Sequence, residues 1–566
     1  MPDQKANSSG LVYLNVIFII KNYMKNLVVI ILFFICYSTG KAQSFKYEMI
    51  EGKNMTLADD LFKTSDGYLH FEADANKKII ISPFENLNKI KYGITINKLD
   101  EGMKEVFSKD LFNGEKKLVP WLYRVFEFNN KTYLLYHDIV SEEKSGLLKL
   151  MEIDKQTAEV KTEKTIIDFE LKKIFFDTKN VIKYKFSTYN FYMSENKKRV
   201  VITSEPMYAK DDRKVLYSWV FDEDFKLISE KSIDFKTINE NVDIYSTICD
   251  NSGNIYIAYR EYYGLDKRGN ILGKDGDRVI SSVQDDMKKL LIVQPNSSQS
   301  KTSLFNLEDH SVHKMGLLYS PVQNKVFLLG TFCKEWDDNI IGVFQGSVDI
   351  TTMKQTPVKL TDFPSEFVEK ISDDGFAKTK EKKYGLLRDF NARYKMRVDG
   401  SVDIIMKYEE VESYQKIING VPKSTYTNFT GGDFVDAHLS SGNFTFTRIG
   451  LNIKSPSTNV YLFYTTVSTG DNLMLIYNDN ENNIKQEIPM SPKKGIVQSS
   501  EICVATIDKS GNVTRQRLLP GLEGKSIGLL THHFALDQRN FLIIVQSLNS
   551  INMSTKNTKF AKIKVE

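Results

Sequence analysis

The stretch NSGNIYIAYREY, beginning at Asn251, constrains the fold of this chain more than any other. A polar turn holding Gly253 runs straight into Ile255, Tyr256, Ile257 and Tyr259. Branched and aromatic side chains fit a pleated, packed surface, and Asn, Ser and Gly suit the turn before it. The same unit, a polar turn followed by five to eight apolar residues, recurs along the chain. It reads DGYLHFEA from Asp66, KTYLLYHD from Lys131, KRVVITSE from Lys198, GNIYIAY from Gly253 and KVFLLGTF from Lys325. Looser copies are SVDIIMKY from Ser401, NVYLFYTT from Asn459 and RNFLIIVQ from Arg539. The eight starts are spaced by about 68 residues on average, and a repeat at this scale signals a modular architecture. Several copies are apolar at consecutive positions, which predicts strands covered on both faces.

A second strand pair often follows across a turn built on an acidic residue: Asp100, Asp154, Asp222 and Asp508. Two pairs per unit give a four-stranded antiparallel sheet, and such sheets repeated radially form a β-propeller, which protects its strand edges by repetition. The expectation is therefore an all-β, β-propeller-like body over residues 43–566 with about seven or eight blades and short helical insertions. Two or three β-sandwich domains are the alternative, and the irregular spacing also allows a division near residue 400.

The first forty residues carry an address. Lys25 precedes the apolar run LVVIILFFICY, Leu27 to Tyr37, and the small or polar segment STGKA follows. A basic start, an apolar run of about eleven residues and Gly40-Lys41-Ala42 read as a secretory signal over 24–42, cut after Ala42. The run is too short for a spanning helix, which needs about 20 residues. A second apolar stretch, LVYLNVIFII from Leu11, fits no signal, and Met24 reads as the natural start, so residues 1–23 read as an upstream start. An uncleaved anchor using both stretches is the competing reading. Removing residues 1–42 takes away four lysines and one aspartate and brings the formal charge from +4 to +1. A near-neutral mature chain argues against nucleic acid as a partner, and leaves the membrane a role only through the signal region. Cys249, Cys333 and Cys503 form no CxxC pair and read as buried thiols, with one disulfide the arithmetical alternative in an exported chain.

Two longer insertions interrupt the pattern. The first, from Tyr262, is glycine-rich and charged and leads to an expected short helix near Gln284 to Leu290. The second, from Phe363, places Pro364 and Ser365 ahead of Phe367, Ile371 and Phe376 at helical spacing, with a stop near Gly375. In a propeller such insertions lie on a rim, where function tends to reside. From Tyr408 the chain becomes rich in tyrosine and threonine, with turns expected at Gly420, Gly431-Gly432 and Gly442. The segment LIYNDNENN, Leu475 to Asn483, follows a strand, turn and strand. It resembles a recurring motif of uncharacterised exported bacterial proteins of propeller-like type. The resemblance covers the last third of the chain and implies no activity.

Within that motif Asp479, Asn480, Glu481 and Asn483 offer oxygen ligands of the kind calcium accepts, although the alternating spacing of a dedicated calcium loop is absent. A hairpin turn solvated by amides explains the same residues. Glu308, Asp309, His310 and His313 form a conceivable metal patch, and His532-His533 precede a strand; neither has the spacing of a defined metal motif. The chain has no GxxxxGK[ST] loop. With three tryptophans, Trp121, Trp219 and Trp336, a Trp-lined sugar platform is not indicated. These readings favour an exported, non-enzymatic binding or scaffolding protein of the bacterial envelope, recognising protein or glycan through loops on a propeller face. The alternatives are a carbohydrate-active hydrolase or lyase and a membrane-anchored subunit of an envelope complex.

Overall fold

The computed structural model describes residues 45–51, 60–73, 94–111, 118–140, 145–170, 173–175, 182–184, 188–205, 213–238, 242–262, 264–265, 271–272, 286–297, 300–307, 310–334, 339–379, 384–418, 421–456, 460–484, 495–496, 500–519, 526–536, 539–547 and 558–566. Residues 1–42, expected from the sequence to be an export region, lie outside them. The chain divides into two compact units, 1–46 with 565–566, and 47–564. In the first, Lys46 pairs with Glu566; the second holds the blades.

The fold is a β-propeller. Among the described residues six sheets have four strands and two are larger, giving eight successive blades in chain order, and two further sheets have two strands each. Blade 1 runs Asp60–Thr64, Gly67–Ala73, Ile94–Leu99, Glu105–Asp110, each strand antiparallel to the last. The repeat unit seen in the sequence is the second strand of a blade in seven of its eight copies, for example Val200–Glu205, Ile255–Tyr262 and Lys325–Cys333. These strands are buried almost end to end, whereas the outermost strands Glu105–Asp110 and Ser300–Leu304 are largely exposed.

The reason is visible in blade 3. Val200 and Ile202 pack toward blade 2, against Phe126, Phe128, Leu135 and Leu150. Val201, one residue out of phase, packs toward blade 4, against Ile255, Ile257 and Cys249. A strand between two neighbouring blades thus has an apolar partner on both faces, and the period-2 alternation disappears. Each fully buried Val, Leu or Ile here is worth about 1.5–3 kcal/mol. Cys249, Cys333 and Cys503 are free, buried thiols.

The acidic turns join third to fourth strands around Asp100, Asp154, Asp222 and Asp508. A variant joins first to second strands in blade 4. There Asp250 Oδ1 accepts from the amides of Ser252 (2.8 Å) and Asn254 (3.0 Å), and Oδ2 accepts from Asn254 Nδ2 (2.7 Å) and Tyr256 Oη (2.9 Å). Asp508-Lys-Ser-Gly-Asn512 repeats the bonding of Asp250-Asn-Ser-Gly-Asn254. Gly253 has φ +84°, which only glycine adopts without strain. Turns also tie blade to blade: Asn196 N donates to Asn251 Oδ1 (2.9 Å), Gln323 Nε2 to Gly400 O (2.8 Å) and Thr447 Oγ1 to Gly511 O (3.1 Å).

Four details differ from the sequence reading. The NVYLFYTT copy is a short 3-10 turn, Val460–Leu462, followed by the first strand of blade 7, Tyr464–Thr469; the second strand is Asn472–Asn480. Tyr461 and Leu462 are apolar because they seal the core, not because they extend. The expected helix near Gln284 is the strand Asp286–Val293, which pairs along its whole length with Ile255–Tyr262. The turn expected at Gly431-Gly432 is absent, since Val421–Ser440 runs through it unbroken. There the glycine admits aromatic rings: a Cβ on Gly432 would lie 2.8 Å from Phe376 and Tyr408. The helix in the Phe363 insertion does form, over Ser365–Ser372, and buries Val368 and Ile371 rather than Phe367.

In blade 6, Val402–Ile418 and Val421–Ser440 pair far beyond the neighbouring strands, making a two-stranded ribbon that leaves the blade. The last blade is composite: its sheet runs in the order Ser526–Ala535, Asn540–Ser547, Thr558–Val565, Phe45–Ile50. The C-terminal strand therefore pairs with the N-terminal one and closes the ring.

Candidate functional site: a cleft on the inner strands of blades 4 to 6

The first strands of blades 4, 5 and 6, Val242–Cys249, Ser311–Ser320 and Phe390–Met396, are the innermost of their sheets and touch in succession. Their N-terminal halves wall a cleft of ≈ 650 Å³. It is lined by Asp243, Tyr245 and Ser246 from blade 4, His313, Lys314, Met315 and Gly316 from blade 5, and Ala392 and Tyr394 from blade 6, with Arg260 from the second strand of blade 4. The volume falls within the ~300–1,000 Å³ of small-ligand sites.

Two irregularities aim these side chains. The pairing of Val242–Cys249 with Ile255–Tyr262 skips Tyr245, and the pairing of Ser311–Ser320 with Lys325–Cys333 skips His313. Each is a β-bulge, which turns a side chain out of the regular alternation. Both bulged residues line the cleft. Leu317 N donates to Ser246 Oγ (3.1 Å) and locks blade 5 to blade 4 beneath them. Gly316 is required by close approach: a Cβ there would come within 2.2 Å of Tyr394 Cε2.

The polar groups are held by neighbours. His313 Nε2 lies 3.0 Å from Arg388 O and Nδ1 lies 3.1 Å from Thr331 Oγ1. A carbonyl can only accept, so Nε2 carries the proton and Nδ1 accepts from the threonine hydroxyl. Burial, then the charges of Lys314 and Arg388, hold the imidazole at about 4, so it is neutral at pH 7. Arg388 belongs to the Phe363 insertion, which thereby reaches the cleft. Arg260 is 2% exposed and its Nη2 lies 3.6 Å from Asp243 Oδ2, while the Asp243 side chain is 56% exposed. Its guanidinium also stands 5.6 Å from the ring centre of Tyr245. The Tyr394 hydroxyl has no hydrogen-bond partner among the described residues, and burial raises its pKa far above the usual value, so it stays protonated.

The residues singled out from sequence fall elsewhere. Asp479 and Asn480 end the strand Asn472–Asn480, and Glu481 and Asn483 lie in the short helix Glu481–Ile484. Asp479 Oδ1 accepts from Asn480 N (2.7 Å) and Asn483 Nδ2 (2.9 Å), and Oδ2 faces Arg515 Nη1 at 3.8 Å. The Asp479 oxygens of the candidate calcium set are thus turned toward protein donors and a guanidinium, while the side chain of Glu481 lies outside the described residues. Among the described residues no group of three or more His, Cys, Asp or Glu is arranged to hold a metal ion. Of the His310 patch, Glu308 and Asp309 lie outside the described residues. His310 Nδ1 sits 3.2 Å from Leu307 O, and both nitrogens of His313 are engaged. The side chains of His532 and His533 are likewise outside.

A second concentration of charge is buried between blades 6 and 7. Arg397 grips Asp403 through Nε (2.8 Å) and Nη2 (2.8 Å), donates to Asp471 O (2.8 Å), and stands 3.6 Å from Asp436. His438 Nδ1 donates to Asp403 Oδ1 (2.7 Å). Burial and the charge of Asp403 push the Asp436 carboxyl well above the carboxylate range. This cluster clamps two blades: Arg397 pairs with Asp403 in blade 6 and donates to Asp471 O in blade 7.

Sequence reasoning missed Asp243, Arg260, Lys314 and Tyr394. Arg260 had a signal, a charge inside the apolar strand IYIAYREY. The others lie on first strands, whose pattern is too broken to place.

No family model matches this chain, and no curated protein matches it. Among solved structures, it is similar to the WD40 domain of SCAP from fission yeast, with TM-score 0.31 and 9% identity over 92% of this chain and 94% of that one. It is also similar to the β-propeller domain of the Trilobed protease from Pyrococcus furiosus (TM-score 0.30, 10% identity, 85% and 96% covered). A third is an α-L-arabinanase from Penicillium chrysogenum (TM-score 0.29, 10% identity, 66% and 92% covered).

Proposed function

We propose that this chain is an exported, non-enzymatic binding protein of the bacterial cell envelope that recognises an envelope protein or glycan through the cleft of blades 4 to 6. The observation that carries the reading is the pair of bulges at Tyr245 and His313, on adjacent inner strands, aiming both side chains into one cleft. Bulges beside a cleft are devices for positioning side chains rather than for packing. The groups so positioned favour recognition over chemistry. His313 is neutral and engaged at both nitrogens, and Asp243 is the single carboxylate among the described lining residues. A glycoside hydrolase needs two carboxyl groups roughly 5–10 Å apart. Cleavage after Ala42 keeps the ring-closing strand Phe45–Ile50, which is compatible with export.

Glycan and peptide arrays probed with the wild-type protein and with Lys314→Glu test this reading. Retention of a defined ligand by the wild type, lost in the variant without release of reducing ends, is the expected result. Release of reducing ends from a retained glycan would establish the hydrolase instead. N-terminal sequencing of the protein from its own cells is expected to begin at Gln43. A retained segment before Ala42 would favour the anchored subunit.

A further inference from the structure

We infer that this chain pairs with a second copy of itself through the outer edge of the blade 6 ribbon, a contact separate from the cleft. The strand Glu410 to Ile418 of one copy lies against the same strand of the other, in antiparallel order. Within the blade this edge is covered. Phe390–Met396 pairs with Val402–Ile418 as far as Tyr408, and Glu409 N donates to Asp389 O (3.0 Å). From Glu410 onward its one strand partner among the described residues is Val421–Ser440, on the opposite side. Val411, Glu412 and Ser413 are all exposed. Successive residues of a strand point to opposite faces, so the ribbon there meets solvent on both faces. A two-stranded ribbon is marginal in water, and an uncovered edge is a template for another strand.

The two edges of the ribbon are not alike. On the Val421–Ser440 side, Asn428 to Gly431 pair with Ile453–Pro456. The stretch without an outer partner among the described residues, Val421 to Thr427, begins with Pro422 and Lys423. Proline lacks the N–H that a new ladder needs, and lysine on an edge discourages pairing. The Glu410 to Ile418 side has no proline, and its sequence EVESYQKII is complementary to itself. Paired residues of antiparallel strands share a face, so a two-fold axis perpendicular to the sheet must pass through a residue position. With that position Tyr414, Glu412 stands opposite Lys416 and Val411 opposite Ile417 in each half, and the two Tyr414 positions meet at the axis. Opposite charges, branched residues and aromatic residues are the cross-strand pairs that stabilise a sheet. The contact is isologous, so association ends at two copies. It joins the two ribbons into one four-stranded sheet, with Ile418 of one copy opposite Glu410 of the other, just beyond the end of Phe390–Met396. The two Tyr408 positions lie about 40 Å apart along that sheet, which keeps the propeller bodies at its opposite ends. So small a contact falls below the about 1,200 Å² of a standard interface, and the pairing is therefore weak, in the micromolar range.

Sedimentation velocity of the protein purified from its own cells, over a range of concentrations, tests the pairing. A monomer that converts to a dimer as the concentration rises through the micromolar range is the expected result. Glu412→Lys and Lys416→Glu each set like charges opposite one another in both halves. Either change is expected to weaken the dimer by about tenfold or more, and the two together to restore it. Paired positions stand ~4.5–5.5 Å apart at Cα, within the reach of a disulfide. Tyr414→Cys is therefore expected to cross-link two copies on mild oxidation, the native thiols Cys249, Cys333 and Cys503 being buried. Thr425→Cys, on the strand that carries Pro422, is expected not to. Monomer alone at every concentration, a dimer indifferent to the single charge reversals, or equal cross-linking by Tyr414→Cys and Thr425→Cys overturns self-pairing through this edge. A Tyr414→Cys cross-link in the cell to a chain of different mass overturns it as well, and gives the edge to a strand of another protein.

Discussion

Two buried side chains respond to acid in opposite senses. Burial pushes Asp479 from 3.8 up to about 6, against the opposing pull of Arg515, Asn483 and the Asn480 amide. A carboxyl whose folded pKa is raised stabilises the fold below its unfolded value, and that contribution is lost as pH rises from about 4 through 6. His313 is the reverse case. Its pKa falls from 6.5 to about 4, so its contribution is present above 6.5 and lost as pH drops toward 4. In the wild type the two partly cancel between pH 4 and 6. Urea midpoints across that window are therefore expected to fall more steeply with acid in Asp479→Asn, and less steeply in His313→Gln, than in the wild type. A matching slope in all three proteins would mean that neither group titrates as the geometry implies. The same carboxylate bears on calcium. With Oδ1 engaged by two donors and Oδ2 facing Arg515, millimolar calcium should leave the melting temperature unchanged. An increase removed by chelator would restore the acidic-amide cluster as a calcium site.

At the scale of elements, second strands were legible and first strands were not. A second strand lies between two blades, so both its faces are apolar and its residues read as a continuous run, as in Val200–Glu205. A first strand faces the axis, and its polar residues sit at bulges such as Tyr245 and His313 that break any period. That is why the cleft stayed hidden while the blades did not. Asp286–Val293 misled for another reason: DMKKLLIV is rich in good helix formers, and pairing with Ile255–Tyr262 overrides that propensity. The ribbon of blade 6 was foreshadowed only as a change in composition after Tyr408. Its described outer part includes Val411, 61% exposed, and exposed Glu412 and Ser413. These described residues of the ribbon therefore add little to the core. Replacing residues 412–428 by a two-residue Asn-Gly turn should change stability by no more than about 0.5–1 kcal/mol, in the range of surface substitutions. Chemical denaturation measures this. A loss of several kcal/mol would show that the ribbon packs on a neighbouring blade.

For the whole molecule the decisive contact joins the two ends of the propeller. Phe45–Ile50 supplies the fourth strand of blade 8, beside Thr558–Val565. Ile50 enters the same core as Leu61 and Tyr68 of blade 1 and Leu542, Ile544 and Phe560 of blade 8. Closing a loop of this length costs on the order of 5 kcal/mol of chain entropy, growing only slowly with length. The strand's backbone bonds and its share of that core must offset this cost. Blade 8 without Phe45–Ile50 would present Thr558–Val565 as an open edge, a template for pairing with other chains. A chain beginning at Glu51 is therefore expected to melt at least several degrees lower and to scatter light on warming. Supplying the peptide of residues 44–51 in trans should recover part of the loss. The control is a Lys109→Pro change on the outer strand of blade 1, which disturbs an outermost strand without opening the ring, and a smaller shift is expected there. If the shortened chain melts with the intact one, ring closure rests on side-chain packing between blades 8 and 1 alone, and the N-terminal strand is an ornament of the edge.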